Sequence, residues 1–223
     1  MDFEDEDYAY EDYAYEDFDA DVWLRNRPTL TEHKSHPNHW MNRSANLKAS
    51  AGAVWYGMDH DETVASELGY HAGFSMNVAC YPIYHMLCGL ALELVMKAVL
   101  VQRKAEAKDY QHHDLGKLHT LLGLPADEAR MRLLEFYKQA LVWSGRYPVP
   151  MRPTDEKLET YYKLELDVLT AATPIAPGST LQVIKGSGAT DWKRFCELYD
   201  EYGALFQHTV PARSSPRTEI DNL

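Results

Sequence analysis

After residue 40, apolar positions recur at helical spacing through most of the chain. In residues 40–58, WMNRSANLKASAGAVWYGM, the side chains Leu47, Ala51, Val54 and Trp55 fall on one side of a 3.6-residue period and predict a first helix. A polar connection containing glycine is expected over 58–73. The longest apolar stretch runs from Ser75 to Lys104, and because proline is best tolerated in a first turn, one helix is predicted from Pro82 onward. Within it Leu87, Leu90, Ala91, Leu94, Val95, Ala98 and Val101 form a broad stripe suited to burial.

Further along, Asp114 is placed to cap a short helix over LGKLHTLLGL, and Pro125 opens another over ADEARMRLLEFYKQALVW. The block GRYPVPMRP ends that helix. DEKLETYYKLELDVLTAA predicts a further helix and WKRFCELYDEYGALFQ the last one. Between them lies a connection rich in proline and glycine, with at most a short β-hairpin near LQVIKG. The fold class expected is therefore all-α, with the helical domain spanning 40–210.

The ends of the chain read differently. Residues 1–24 open with MDFEDEDYAYEDYAYEDFDA, a five-residue repeat without a period that buries one face, so a disordered acidic tail rich in tyrosine is expected. Its alternation of aromatics (Tyr8, Tyr10, Tyr13, Tyr15, Phe18) with carboxylates also suits a segment that mimics nucleic acid or docks on a basic surface. Residues 25–39 read as a linker, and 211–223 as a flexible C-terminal tail.

Charge changes the picture only when it is divided along the chain. Of the 34 acidic residues, 11 stand within the first 21 positions, where there is no Lys or Arg; the remaining 23 face 22 Lys and Arg. The body is nearly neutral, so the overall charge of −12 does not exclude an RNA or nucleotide ligand. No stretch reaches the roughly 18 uninterrupted apolar residues of a membrane span, and the acidic N-terminus is unlike a signal peptide. A cytoplasmic protein without a membrane partner is expected. Its three cysteines, Cys80, Cys88 and Cys196, lack CxxC spacing and read as reduced, packed thiols.

Two stretches carry candidate chemistry. In GLALELVMKAVLV, Glu93 and Lys97 are the only charges between Met86 and Val101, spaced i and i+4 in the favourable order. They are either a narrow solvated edge of a buried helix or the rim of a groove. In HHDLGKLH no second cluster at ligand spacing accompanies the histidines, so no metal is expected. There Asp114 caps the helix and leaves His113 just outside its first turn, where an anion such as phosphate is favoured and a proton exchanges near neutral pH. Arg146 sits on a turn between Gly145, free to take a positive φ, and Pro148. A guanidinium held there suits a phosphate or carboxylate, or else a salt bridge to Glu93 or Asp114.

The order GLALELVMKAVLV, then HHDLGKL, another helix, and GRYP leading into a further helix resembles the HEPN domain (higher eukaryotes and prokaryotes nucleotide-binding), over roughly residues 40–175. The resemblance implies an antiparallel helical bundle, commonly a homodimer. It also implies an RNA- or nucleotide-binding protein of a prokaryotic defence or toxin–antitoxin type, in a family that includes metal-independent endoribonucleases needing no cofactor. In those enzymes His handles the 2′-hydroxyl proton and Arg stabilises the developing phosphorane charge, at a site formed where two protomers meet. Carried over by motif, the catalytic positions are Glu93, His113 and Arg146, with Lys97, Asp114, Arg103 and His112 as ligand-binding neighbours. The family's Arg, four to six residues, His spacing occurs only from Arg27 to His33, in the predicted linker. That departure keeps open an alternative: a non-catalytic dimeric interaction module that pairs with a nucleotidyltransferase, with the acidic tail as its regulatory segment.

Overall fold

The computed structural model describes Val22, residues 27–176 and residues 180–208. The acidic repeat and the C-terminal tail therefore fall outside the described residues, Val22 excepted. Among the described residues are nine α-helices, one π-helical turn and a two-stranded sheet. The chain divides after Lys34 into two units.

In the first unit, α1 (Leu30–Lys34) forms where a linker was expected. Its start is a reciprocal cap: Thr29 N donates to the Glu32 carboxylate at 2.8 Å, and Glu32 N donates to Thr29 Oγ1 at 3.2 Å. In the second unit, α2 (Pro37–Asp59) begins three residues before the predicted helix. Pro37 stands in the first turn, where its missing N–H costs nothing, and His36 Nδ1 accepts from Asn38 N.

The supposed loop after α2 holds a helix of its own, α3 (Asp61–Glu67). The Asp61 carboxylate reaches across to the next element, accepting from Met76 N, Ser75 Oγ and Asn77 Nδ2. Those bonds hold the Asp61 carboxyl below its ordinary range. They also fix where the central helix starts. With Ser75 as its N-cap, α4 runs Met76–Gln102, opening six residues before the predicted Pro82. Pro82 removes one backbone bond to the Val78 carbonyl, tolerated because this end of α4 faces solvent; Val78 is 77% exposed.

From Tyr84 to Leu100, α4 is enclosed on nearly every side. By length and composition it is the one described helix able to cross a bilayer, yet 72% of that apolar window is buried inside the protein, as in a core helix. Around it pack α2, α6 (Leu115–Leu121), α7 (Glu128–Gln139) with the π-helical turn Ala140–Ser144, and α9 (Trp192–Gly203). The last presents Phe195, Leu198, Tyr199 and Tyr202 at i, i+3, i+4 and i+7, all buried. Ser44 of α2 ties three of these helices: its hydroxyl donates to the Ala91 carbonyl at 2.7 Å and meets the Tyr199 hydroxyl at 3.0 Å. A short α5 (Ala107–Tyr110) leads into α6.

Helix α8 (Asp155–Leu169) ends three residues before its predicted limit because the chain turns into β1 (Thr170–Pro174). That strand pairs antiparallel with β2 (Gln182–Gly186), with Thr170 opposite Gly186. The hairpin expected near LQVIKG thus takes its partner strand from the end of the helix.

Close packing sets two glycines. A Cβ on Gly89 of α4 would stand 2.6 Å from the Tyr137 carbonyl, so α4 and α7 approach through the missing side chain. Gly145 was expected to use a positive φ; it has φ −79° and instead lies against α4, where a Cβ would fall 2.5 Å from Met86 Cβ. Gly89→Ala is expected to lose about 1–3 kcal/mol by forcing these helices apart. Gly57→Ala in α2, which meets nothing within 4 Å, is expected to gain roughly 0.5–1 kcal/mol. Paired urea denaturation curves check both.

Buried His85 supplies a second test. Desolvation lowers its pKa from 6.5 to about 3, among the rings of Tyr81, Tyr84, Phe136 and Tyr137. The unfolded chain therefore binds a proton below pH 6.5 that the folded chain refuses until about pH 3. Stability should fall as pH drops through that window, by a few kcal/mol in order of magnitude. His85→Phe should flatten the dependence of the melting temperature on pH there.

Candidate functional site

Glu93 and Lys97 lie one turn apart on α4, and burial gives their pairing its character. Their side chains are only 5% and 8% exposed, and Lys97 Nζ donates to Glu93 Oε1 at 2.6 Å. Neither the solvated edge nor the groove rim describes them: this is an ion pair inside the bundle. A carboxylate placed there needs its second oxygen satisfied as well. His113, in the loop ahead of α6, does so, with Nδ1 2.9 Å from Glu93 Oε2. An ionised carboxylate only accepts, so Nδ1 carries the proton and donates. The imidazole, 65% exposed, thus stands at the surface with its orientation held from below.

The neighbouring candidates hold α6 in place. Asp114 caps it, accepting from Lys117 N at 3.1 Å, and Lys138 of α7 lies 3.8 Å from the same carboxylate. His112 Nδ1 accepts from Asp114 N. At the other end Arg103 Nη1 donates to the Leu122 carbonyl at 3.1 Å, satisfying one of the helix's last acceptors. Beside this corner is an open cleft of about 600 Å³ whose walls include Lys108, His112, Asp114 and Lys117. Its two lysines give it cationic side chains, tempered by Asp109 and Asp114.

Arg146 is elsewhere. The residue before it packs on α4 at Pro82 and Met86, and Met86 is seven residues, roughly 10 Å along the axis, from Glu93. Its guanidinium donates to the Val142 carbonyl and lies 5.2 Å from the centre of the Tyr147 ring. Glu93, Lys97 and His113 are therefore brought together, while Arg146 belongs to the opposite end of α4. Arg27 and His33 lie in the first unit. Among the described residues, no group of three or more His, Cys, Asp or Glu side chains is placed to hold a metal.

Sequence reasoning passed over a second set of side chains. The π-helical turn places Trp143 and Ser144, with Tyr147 just beyond, beside Tyr81, His85, Tyr161, Tyr162 and Glu165 around a cleft of about 190 Å³. Its only sequence signal was the density of aromatics in YPIYH, WSGRYP and ETYYKLE.

No protein-family model, no curated protein and no solved structure matches the chain.

The buried pair predicts a pattern of stabilities. Glu93→Ala leaves an unpartnered ammonium in the core and is expected to cost about 3–5 kcal/mol. Adding Lys97→Met should recover most of that loss. His113→Ala, which leaves Glu93 Oε2 without its donor, should cost less, about 1–3 kcal/mol. Chemical denaturation of the three variants beside the parent protein checks the order.

Proposed function

We propose that the chain is a HEPN-like RNA- or nucleotide-binding protein of the cytoplasm, with His113 at the centre of its ligand contact. The observation that carries this reading is the arrangement Lys97–Glu93–His113: a buried carboxylate, neutralised by a buried ammonium, fixes an exposed imidazole through Nδ1 and leaves Nε2 for an outside group. Such an imidazole can accept a hydroxyl proton or, once protonated, donate to a phosphate oxygen. Lys108 and Lys117 in the adjoining cleft would contact phosphates without regard to sequence. Binding follows from one protomer. Cleavage that used Arg146 as well would require it from the second copy of a homodimer, because within one chain it sits at the other end of α4.

That separation also favours the second reading, a non-catalytic dimeric module that pairs with a partner such as a nucleotidyltransferase. The solvent face of α4 suits it: Val78, Tyr81 and Ile83 are exposed on a helix otherwise given to the core.

A labelled pool of tRNA and mRNA incubated in EDTA with the intact protein tests both activities together. Binding that weakens with salt is expected, and it should strengthen when residues 1–24 are removed, most at low salt, because the acidic segment competes for the same cations. His113→Ala should weaken binding while the protein stays folded at the assay temperature, and should abolish any cleavage. Binding without cleavage would support an RNA-binding protein that is not a nuclease; a folded protein that neither binds nor cuts RNA overturns the proposal and favours the partner-docking module.

A further inference from the structure

At the other end of α4 the chain builds a small chamber that the His113 cluster does not touch. Its floor is made of Phe136, Ala140 and His85, all buried; its rim is made of Tyr81, Tyr147 and Tyr162, all partly in solvent. The π-helical turn is what forms it. Gly145 N donates to the Ala140 carbonyl at 3.0 Å, five residues back, and Tyr147 N donates to the Trp143 carbonyl at 2.8 Å. The extra residue in the turn brings both Trp143 and Tyr147 into the lining, the kind of local widening that often marks a functional site.

The aromatic walls are held in place. Trp143 Nε1 donates to Gln139 Oε1, which fixes the indole, and the Tyr161 ring stands edge-on to it with centroids 4.7 Å apart. Tyr162 lies 5.8 Å from Tyr161. At about 190 Å³ the chamber is smaller than the roughly 300–1,000 Å³ that encloses a drug-sized ligand, so it takes a small group.

Charge selects which small group. The lining includes one carboxylate, Glu165, and no Lys or Arg. Glu165 is half-buried, accepts from the Tyr161 hydroxyl at 3.3 Å, and among the described residues has no cationic partner. Burial raises its carboxyl pKa, which is the mark of a carboxylate lacking a counter-charge. The one imidazole in the lining belongs to His85, whose Nε2 is buried without a hydrogen-bond partner. Desolvation keeps that imidazole neutral, so it does not repel a cation. Arg146 lies against Tyr147, outside the lining, tethered to the Val142 carbonyl.

We propose that this chamber binds a small quaternary ammonium cation, with the faces of Trp143, Tyr147, Tyr161 and Tyr162 receiving the methyl groups and Glu165 supplying the counter-charge. Electron-rich ring faces attract a cation that is bulky, weakly hydrated and unable to donate hydrogen bonds, and a nearby carboxylate adds charge without demanding a donor. A phosphate-bearing ligand finds no cationic partner in the lining. The inference is independent of RNA binding at His113.

Titration calorimetry on the full chain, with choline as the probe, tests it. Saturable binding of choline is expected, with dimethylbutanol, its uncharged carbon isostere, weaker by about tenfold or more. Glu165→Gln and Tyr147→Ala, both at or near the open side, should each weaken choline by roughly tenfold while circular dichroism stays unchanged. Equal binding of choline and dimethylbutanol would reduce the chamber to an apolar slot and overturn the proposal. So would a folded protein that takes no choline, or one in which adenosine binds there and choline does not displace it.

Discussion

Enclosing one helix on nearly every side places a constraint on everything packed around it. From Tyr84 to Leu100, α4 has almost no face left for water, so each polar group on it must be satisfied by a neighbour. Ala91 lends its carbonyl to Ser44, and Glu93 takes Lys97 on one oxygen and His113 on the other. The surrounding elements are placed by these demands as much as by apolar contact. The loop before α6 is drawn in by the second oxygen of a carboxylate that would otherwise be buried half-paired. The α4–α7 contact is close because Gly89 offers no Cβ to the Tyr137 backbone. A buried ion pair is rarely the most stable solution, since apolar side chains of similar volume often do as well. Its presence here is therefore better explained by what it holds, an exposed imidazole in a fixed orientation, than by stability.

His85 lies eight residues before Glu93 on the same helix, roughly 12 Å along its axis, and is the exception, its Nε2 buried without a hydrogen-bond partner. Among the described residues no carboxylate is bonded to it; its neighbours are aromatic rings, and the imidazole stays neutral far into the acid range. One helix thus carries a histidine partner fixed by charge at one end and a histidine kept uncharged by desolvation at the other. The difference follows from what packs alongside: a polar loop and a helix start near Glu93, and a π-helical turn crowded with aromatics near His85.

The sequence was most legible where local pattern and burial agree. The last helix, the cap at Asp114 and the break after Ser144 all follow from residues within one or two turns of one another. Legibility failed where a distant residue decides. The start of α4 depends on Asp61, 15 residues away, so the rule that places proline in a first turn pointed to Pro82. β2 takes as its partner a segment whose composition reads as the end of a helix. Gly145 looked like a residue chosen for backbone freedom and is chosen for lack of volume. Of the candidate side chains, Glu93, Lys97 and His113 do meet, but sequence spacing alone could not say that the first two are buried, because Glu and Lys at i and i+4 suit an exposed edge equally well. Arg146 was joined to them by motif order, and motif order carries no distance.

The π-helical turn shows why the second site was hardest to see. An α-helix continued regularly from Gln139 would present its side chains at a fixed angular step. One extra residue per turn shifts everything that follows, and so decides which of Trp143, Ser144 and Tyr147 face α4 and α8. No residue type announces such a turn. At its end Gly145 packs on Met86 and the Pro82 carbonyl of α4, so closely that a Cβ would collide with both. The same proline that misplaced the helix start in the sequence thus lies beneath the wall of the aromatic chamber: chamber and His113 cluster are products of one helix, built at its two ends by unrelated chemistry.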